Sequence, residues 1–281
     1  MPAKLVSHSY GKSAVRLTKV KRGPDRHELV ELEVAVHLTG EFADSYLTGD
    51  NRQVIATDTM KNTVYALASQ HPIDAIEDFG LALADHFLTG NAHVASVTVD
   101  LAQTAWRRMA FDGHDHPHAF VGAGDHRRTA RILRTRAGTQ IAAGVENLLL
   151  LKTADSAFAG FVRDGYTTLP ETDDRVFATR LTARWEYAAG THDWNAVYES
   201  AVAAMLRTFA FHESRAVQQT LYAMGEAVLE AVPPITGMEL EMPNQHRIAF
   251  NLQPLGLANR NEIFVTTSEP YGLIKASVAR A

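Results

Sequence analysis

The sequence predicts an α+β protein made of two similar halves, each an antiparallel sheet with helices on one face. Three observations predict this class: short strand-like runs, amphipathic helical stretches between them, and a similarity between the two halves of the chain. "DNRQVIATDT" resembles "DDRVFATRL", and an offset of 122 residues places Thr57 on Thr179 and Phe87 on Phe209. We therefore predict two domains, residues 1–138 and 139–281.

Helical spacing of apolar residues predicts three helices. The first runs from about Pro72 to Leu88, and the proline suits its first turn. The second occupies 193–209, where Asp193 is suited to act as the N-cap. The third begins near Ser214 and ends before Pro233-Pro234, because proline cannot continue a helix.

Ten strands are predicted between and around these helices. The segment 53–67 is the least regular of them, because its polar residues gather around Thr57 instead of alternating with apolar ones. The predicted strands are 14–21, 27–40, 53–67, 94–105, 128–137, 140–152, 175–187, 245–252, 262–266 and 273–279.

Composition excludes several classes of protein. The net charge of -5 and the sequence pI near 6.2 argue against a nucleic-acid-binding surface. The longest apolar runs, such as "NLLLL", are too short to span a bilayer. The chain contains no cysteine, which excludes disulfides, thiol nucleophiles and cysteine-ligated metals. Without a signal-peptide core at its N-terminus, the chain is predicted to be cytoplasmic, with no nucleic-acid or membrane partner.

Seven sequence blocks, in this order, resemble the urate oxidase (uricase) family. No single block is specific, but their order and spacing cover the chain from about Tyr10 to Val278. The blocks are "YGKSAVRLTKV", "VIATDTMKNTVYALA", "HPHAF", "FVRDGYTTLPETDDRVFAT", "VQQTLYAMG", "MPNQHRIAFNLQPLG" and "PYGLIKASV".

The resemblance implies a fold and a reaction. The fold is two tandem tunnelling-fold (T-fold) domains, which assemble as a homotetramer around a β-barrel tunnel. The reaction converts urate, O2 and water into 5-hydroxyisourate and hydrogen peroxide without a metal or organic cofactor. Such chemistry requires the protein only to deprotonate the substrate, orient it and stabilise charge, because urate itself supplies the electrons.

Three residues match the catalytic positions of the family: Lys12 of "YGK", Thr57 of "ATD" and His246 of "NQH". A threonine hydroxyl is a poor base and needs a neighbour to accept its proton. The resemblance implies that Lys12 is this neighbour and that His246 is the third member of the proton relay.

Four residues match positions that bind urate in the family. Arg175 offers a planar fork for one edge of an anionic purine, and Gln218 offers a donor and an acceptor for the opposite edge. Phe158 can stack on the ring system. The backbone N–H of Val217 lies in the first turn of the third predicted helix, where the helix dipole favours an anion.

Two further residues and an assembly follow from the same resemblance. Asn244 is expected above the substrate plane, where its amide holds O2, then the peroxide and then the attacking water. Asp58 is expected to bind the substrate next to Thr57, mainly through backbone and local hydrogen bonds, and Thr57 itself also contacts the substrate. Because Thr57 lies in the first half and Arg175 in the second, the active site is expected to form between two subunits.

Two alternative functions stay open at this point. One is a zinc-dependent pterin enzyme of the same fold, which would use the histidines of "HDHPH" (His114–His118). Proline within this run predicts a rigid turn instead, and we expect no metal site. The other is a catalytically inactive purine-binding scaffold.

The sequence also departs from the family at Gln245, where lysine is usual.

Overall fold

The computed structural model describes residues 3–281 and shows an α+β chain, which confirms the predicted fold class. The chain divides between Gly144 and Val145 into two compact units. Strand β5 (Gly138–Lys152) runs through this division, and the boundary predicted at 138/139 coincides with its beginning.

The first unit contains a four-stranded antiparallel sheet in the order β1-β2-β3-β4, in which every strand pairs with its neighbour in sequence. Two long helices and one short helix lie between the second and third strands. The elements are β1 (Tyr10–Arg22), β2 (His27–Gly40), α1 (Ala43–Leu47), α2 (Thr57–Gln70), α3 (Ile76–Gly90), β3 (Val94–Phe111) and β4 (His114–Thr135).

The core of the first unit lies between the sheet and the helices. Alternate residues of β2, such as Val34, Val36 and Leu38, are fully buried, as expected for a strand with one face in the core. Helix α3 packs closely on the sheet at Gly80, where a Cβ atom would lie 2.5 Å from Ile132 Cδ1. Among residues 3–281, no helix is both long and apolar enough to cross a membrane.

The second unit repeats this plan. Its main sheet has the order β6-β7-β10, again antiparallel, and its two long helices lie between β6 and β7. A small two-stranded sheet and a 3-10 turn precede β10. The elements are β6 (Phe177–Tyr187), α4 (Trp194–Phe211), α5 (Val217–Ala231), β7 (Ile235–Asn244), β8 (Arg247–Ala249), a 3-10 turn (Gln253–Leu255), β9 (Phe264–Thr266) and β10 (Gly272–Ala279).

The predicted alignment of the two halves is wrong, although both units contain strands followed by a helix pair and two more strands. At an offset of 122 residues Thr57 falls on Thr179, yet Thr57 begins helix α2 and Thr179 lies in strand β6. An offset of 141 residues instead carries α3 onto α5 from end to end. Buried positions then coincide along both helices, for example Leu83 with Met224.

The prediction of a strand over 53–67 is also wrong, because this segment forms most of helix α2. Its buried residues Met60, Val64 and Ala68 recur every four residues, which is helical spacing. The β-branched residues around them favoured a strand by propensity alone. Tertiary packing of the apolar stripe outweighs that preference.

Other predicted boundaries differ in both directions. Helix α3 begins at Ile76, later than predicted, and Pro72 precedes it. Strand β7 was not predicted, and most of the strand predicted over 245–252 is irregular. The cap of α4 is confirmed, since the Asp193 carboxylate accepts a hydrogen bond from Ala196 N (3.1 Å).

Candidate active site

The residues of the first unit that match the family's site begin helix α2. Thr57 and Asp58 are its first two residues, and the N-cap is Ala56, whose side chain cannot accept a hydrogen bond. Within the described residues, the N–H groups of Thr57 and Asp58 and the Thr57 hydroxyl have no hydrogen-bond partner. This helix end therefore presents uncapped donors and a free hydroxyl at the positive end of the dipole.

Strand β1 carries Lys12 past the beginning of α2. The strand is irregular between Lys12 and Val15, and Ala14 has a φ of 55°. Such bulges change the direction in which a side chain points. The Tyr10 hydroxyl accepts a hydrogen bond from Ile55 N (2.8 Å), which ties β1 to the segment just before α2.

Two lysines lower the pKa of the Asp58 carboxyl. A hydrogen bond from Lys61 Nζ (2.5 Å) holds the pKa of the Asp58 carboxyl below its usual range, and the charge of Lys12 acts in the same direction. The Asp58 carboxylate, the Lys61 ammonium and the Thr57 hydroxyl thus lie at one helix end, and the charge of Lys12 acts on the same carboxylate.

Gly11 allows this close packing of β1. A Cβ atom at Gly11 would lie 2.0 Å from the Val36 carbonyl oxygen, which is fixed in the neighbouring strand. We expect Gly11→Ala to lower the free energy of unfolding by about 1–3 kcal/mol, the usual cost of overpacking. Thermal denaturation would measure this loss. Gly49→Ala is a poor control, because the φ of Gly49 is 78° and an alanine there would be strained. Gly90→Ala is the better one, since nothing lies within 4 Å of its Cβ position.

Arg175 and Phe158 lie together in the second unit. The Arg175 guanidinium carbon is 5.3 Å from the centre of the Phe158 ring, in cation–π contact. Arg175 is half-buried, and desolvation lowers the pKa of its guanidinium. Across residues 3–281, this side chain has neither a hydrogen bond nor a carboxylate partner. A partly desolvated cation without a counter-ion is a site for an anion.

Backbone bridges hold the segment that carries Phe158. Phe158 pairs with Thr172 through two backbone hydrogen bonds of 2.8 and 3.0 Å. Ser156 N donates to the Asp174 carboxylate (3.3 Å), next to Arg175. The segments that carry the Phe158 ring and the Arg175 guanidinium are therefore hydrogen-bonded to each other.

Helix α5 brings Val217 and Gln218 to the same segment. Ser214, three residues before the helix, bridges Ser156: its N–H donates to Asp155 O (2.9 Å) and its carbonyl accepts from Ala157 N (2.7 Å). Val217 is the first residue of α5 and is buried, whereas Gln218 is exposed. The N-cap is again an alanine, Ala216, so it leaves the first N–H groups uncapped.

Asn244 and His246 follow at the end of strand β7. Asn244 lies opposite Thr179 in β6, close to the end of β6 that Arg175 precedes. Backbone bonds fix the turn that follows, because Gln245 N donates to Ala178 O (2.8 Å) and His246 O accepts from Thr267 N (3.2 Å). The second unit therefore places Arg175 and Asn244 at one end of the β6–β7 pair.

Comparison with known proteins assigns the family. A family model described as uricase matches residues 8–133 and 141–275. The chain belongs to the uricase family. It is 43% identical to a uricase of Arthrobacter globiformis over 98% of this chain and 90% of that protein. It is 38% identical to a uricase of Dictyostelium discoideum, over 99% and 98% of the two chains.

A solved structure agrees with this assignment. The crystal structure of uricase from Arthrobacter globiformis matches with a TM-score of 0.94 and 42% sequence identity, over 100% of this chain and 96% of that chain. The resemblance that the seven sequence blocks indicated is therefore confirmed.

Gln245, where the resemblance leads us to expect lysine, directly follows strand β7. It lines a cavity of about 530 Å³ with residues of β5, β6 and β7, among them Glu146, Arg180 and Glu241. Its neutral amide therefore lines the same cavity as these charged side chains.

The "HDHPH" run is part of strand β4, so the prediction of a turn within it is wrong. The turn lies before it, at Asp112 and Gly113, which both have positive φ. Arg108 Nη1 donates to the carbonyls of His116 and Pro117 (3.0 Å each), which holds the run against β3. No group of three metal-binding side chains is found within residues 3–281.

Proposed function

We propose that this chain is a urate oxidase that converts urate, O2 and water into 5-hydroxyisourate and hydrogen peroxide. Membership of the uricase family supports the enzyme class. The observation that carries the proposal in this chain is the half-buried Arg175, which faces the Phe158 ring without a counter-ion. Urate is a flat anion, so it suits a cationic fork beside an aromatic face.

Binding is assigned to residues of the second unit. Arg175 holds one edge of urate by paired N–H donors, the Gln218 amide holds the other edge, and Phe158 stacks beneath the rings. The uncapped N–H of Val217 adds a donor at the positive end of α5. These contacts fix the purine in one plane, so that urate and O2 react in a defined orientation.

Proton transfer is assigned to Lys12, Thr57 and His246. Thr57 exchanges a proton with the substrate or the bound water, Lys12 accepts that proton from the hydroxyl, and His246 completes the relay. Asn244 holds O2 and then the peroxide by its amide group. Asp58 is assigned a substrate contact beside Thr57, mainly through its backbone, while its carboxylate accepts hydrogen bonds from Lys61 and Asn62. The substrate supplies the electrons, so the proposal includes no metal or organic cofactor.

We further propose a homotetramer in which α2 of one subunit meets the Arg175 pocket of another. Support comes from the distribution of the residues. Each unit carries only part of the set, and each unit contributes one uncapped helix end to it, that of α2 or that of α5. A two-fold interface brings such complementary parts together twice. The cytoplasmic location and the residue assignments likewise stay predictions.

A direct assay tests the proposed function. Purified protein is mixed with urate in air-saturated buffer, and urate absorbance, O2 and peroxide are followed together. One O2 consumed and one peroxide formed per urate is expected. Binding without turnover would indicate a purine-binding scaffold, and loss of activity after dialysis against a chelator would indicate a metal enzyme.

Arg175→Ala tests the observation on which the proposal depends. We expect urate binding to weaken by about 2–3 kcal/mol, at the low end of the range for a buried charged partner because Arg175 is only half-buried. The ratio kcat/KM and the KM for urate measure this loss. Arg207→Ala is a matched control, because Arg207 lies 5.2 Å over the exposed Phe211 ring in the same unit. An unchanged KM in Arg175→Ala would exclude Arg175 from the site.

A further inference from the structure

A chain of hydrogen bonds runs beneath the first turn of helix α5. Thr220 Oγ1 donates to Ser214 Oγ (2.7 Å), and Ser214 Oγ donates to the carbonyl oxygen of Ala216 (3.2 Å). His212 Nδ1 lies 3.2 Å from Thr220 Oγ1. Thr220 and Ser214 are 0% and 1% exposed, so their hydroxyls are shielded from water and form hydrogen bonds within the protein instead.

Counting the available protons fixes which group donates in each of these hydrogen bonds. Each hydroxyl carries one proton and can donate only one hydrogen bond. Thr220 uses its proton on Ser214, and Ser214 uses its proton on Ala216. The Thr220 oxygen must therefore accept from His212, which assigns the proton of this imidazole to Nδ1.

The chain ends on the peptide group that carries the Val217 N–H. The Ala216 carbonyl and the Val217 N–H belong to one planar unit, so fixing the oxygen fixes the direction of the N–H. Hydrogen bonds to the carbonyl also polarise the peptide and strengthen the opposite donor. The same oxygen accepts from Gln219 N (3.1 Å) and Thr220 N (3.2 Å).

Both ends of this network are anchored. Lys152 Nζ donates to the His212 carbonyl (2.5 Å) at the end of α4, where a cation also complements the helix dipole. Ser214 is bound through its own backbone to Asp155 and Ala157, next to Phe158. Ser214 thus joins the segment that carries the aromatic ring to the helix end that carries Val217.

We propose that His212, Thr220 and Ser214 are positioning residues, which aim the Val217 N–H at the substrate and hold it at a set distance from the Phe158 ring. None of the three side chains is assigned a contact with urate. The inference rests on the proposed function, because it takes the Val217 N–H as a urate donor. It predicts that removing one buried hydroxyl weakens ground-state binding and leaves the chemical step intact.

Thr220→Val and Thr220→Ser test this proposal. Valine keeps the shape and removes the hydroxyl, whereas serine keeps the hydroxyl. We expect Thr220→Val to raise the KM for urate about five- to tenfold, the effect of one lost hydrogen bond, with kcat within about twofold of wild type. The Kd of a non-oxidisable oxopurine is expected to rise by the same factor, and Thr220→Ser is expected to restore both constants.

The matched control is Thr179→Val. Thr179 is also a buried threonine of the second unit, but its hydroxyl has no partner among the described residues. The same chemical change there is expected to leave KM and Kd unchanged and to keep or raise the melting temperature. If Thr220→Val does not fold, Ser214→Ala removes the next hydroxyl of the chain and keeps the backbone bridge.

The outcomes separate this proposal from the proposed function. If wild type does not oxidise urate, the proposed function fails first. If wild type is active, Arg175→Ala loses binding, and Thr220→Val binds the oxopurine like wild type, only the positioning proposal is overturned. A fall in kcat at unchanged KM, or a defect that serine does not restore, also overturns it.

Discussion

Lys12→Met and Thr57→Ala are each expected to lower kcat by about 10²- to 10⁴-fold, the usual contribution of a positioned acid or base. In the proposed relay the hydroxyl of Thr57 transfers a proton only if Lys12 removes it, so the loss of either residue interrupts the same proton path. Binding of a non-oxidisable oxopurine should change little, because Arg175 and Phe158 remain. Steady-state kinetics and equilibrium binding measure the two effects separately.

The double variant decides whether the two residues act as one unit. Residues that share one proton path are non-additive, so the double variant should be little slower than either single variant. If the two losses multiply, the relay is wrong. Lys21→Met is the matched control, since Lys21 is an exposed lysine of the same strand β1 and is expected to leave kcat unchanged.

The sequence predicted the second unit's helices better than the first unit's. Asp193 is a side-chain cap, and Pro233-Pro234 is a stop, so α4 and α5 had local signals at their ends. Helix α2 has a stop signal in Pro72, two residues beyond its end, but it lacks a start signal, because its N-cap is Ala56. The alanine N-cap makes the beginning of α2 hard to predict from the sequence. It also leaves the first N–H groups of the helix available to a ligand.

A short identity explains why the repeat was misaligned. The short identity "AT" placed Thr57 on Thr179, whereas the helices themselves align Ala75-Ile76-Glu77 with Ala216-Val217-Gln218. In the first unit, Glu77 is fully buried and forms an ion pair with Arg128 (2.7 Å). In the second unit, Gln218 at the same helix position is exposed. The first turn of α3 is therefore covered by packing, whereas the first turn of α5 is accessible to a ligand.

Other parts of the site could not be predicted from residue patterns. Phe158 and Arg175 lie in an irregular segment between β5 and β6, whose shape depends on bridges to Thr172 and Ser214. Such long-range bonds leave no periodic signal in the sequence. The roles of both residues came from the family resemblance, and the contact between their side chains came only from the structure.

Below KM, mixed oligomers of Thr57→Ala and Arg175→Ala are expected to show much more activity than either variant alone. The proposed site takes Thr57 from one subunit and Arg175 from another. A mixed pair therefore forms one site with both lesions and one site with neither. With random exchange at equal concentrations, about a quarter of all sites should be intact, by the symmetry of a two-fold interface.

The measurement requires subunit exchange and a substrate concentration below KM, where the Arg175→Ala defect is largest. The two proteins are dissociated, mixed and reassociated, and exchange is verified by native mass spectrometry of differently labelled subunits. Mixing without dissociation is the control, and it should restore nothing, because intact oligomers keep their own sites. If Thr57 and Arg175 instead belonged to one site within a single subunit, every site would carry exactly one lesion. Verified exchange without recovered activity would then place the whole site within one chain and refute the interface arrangement.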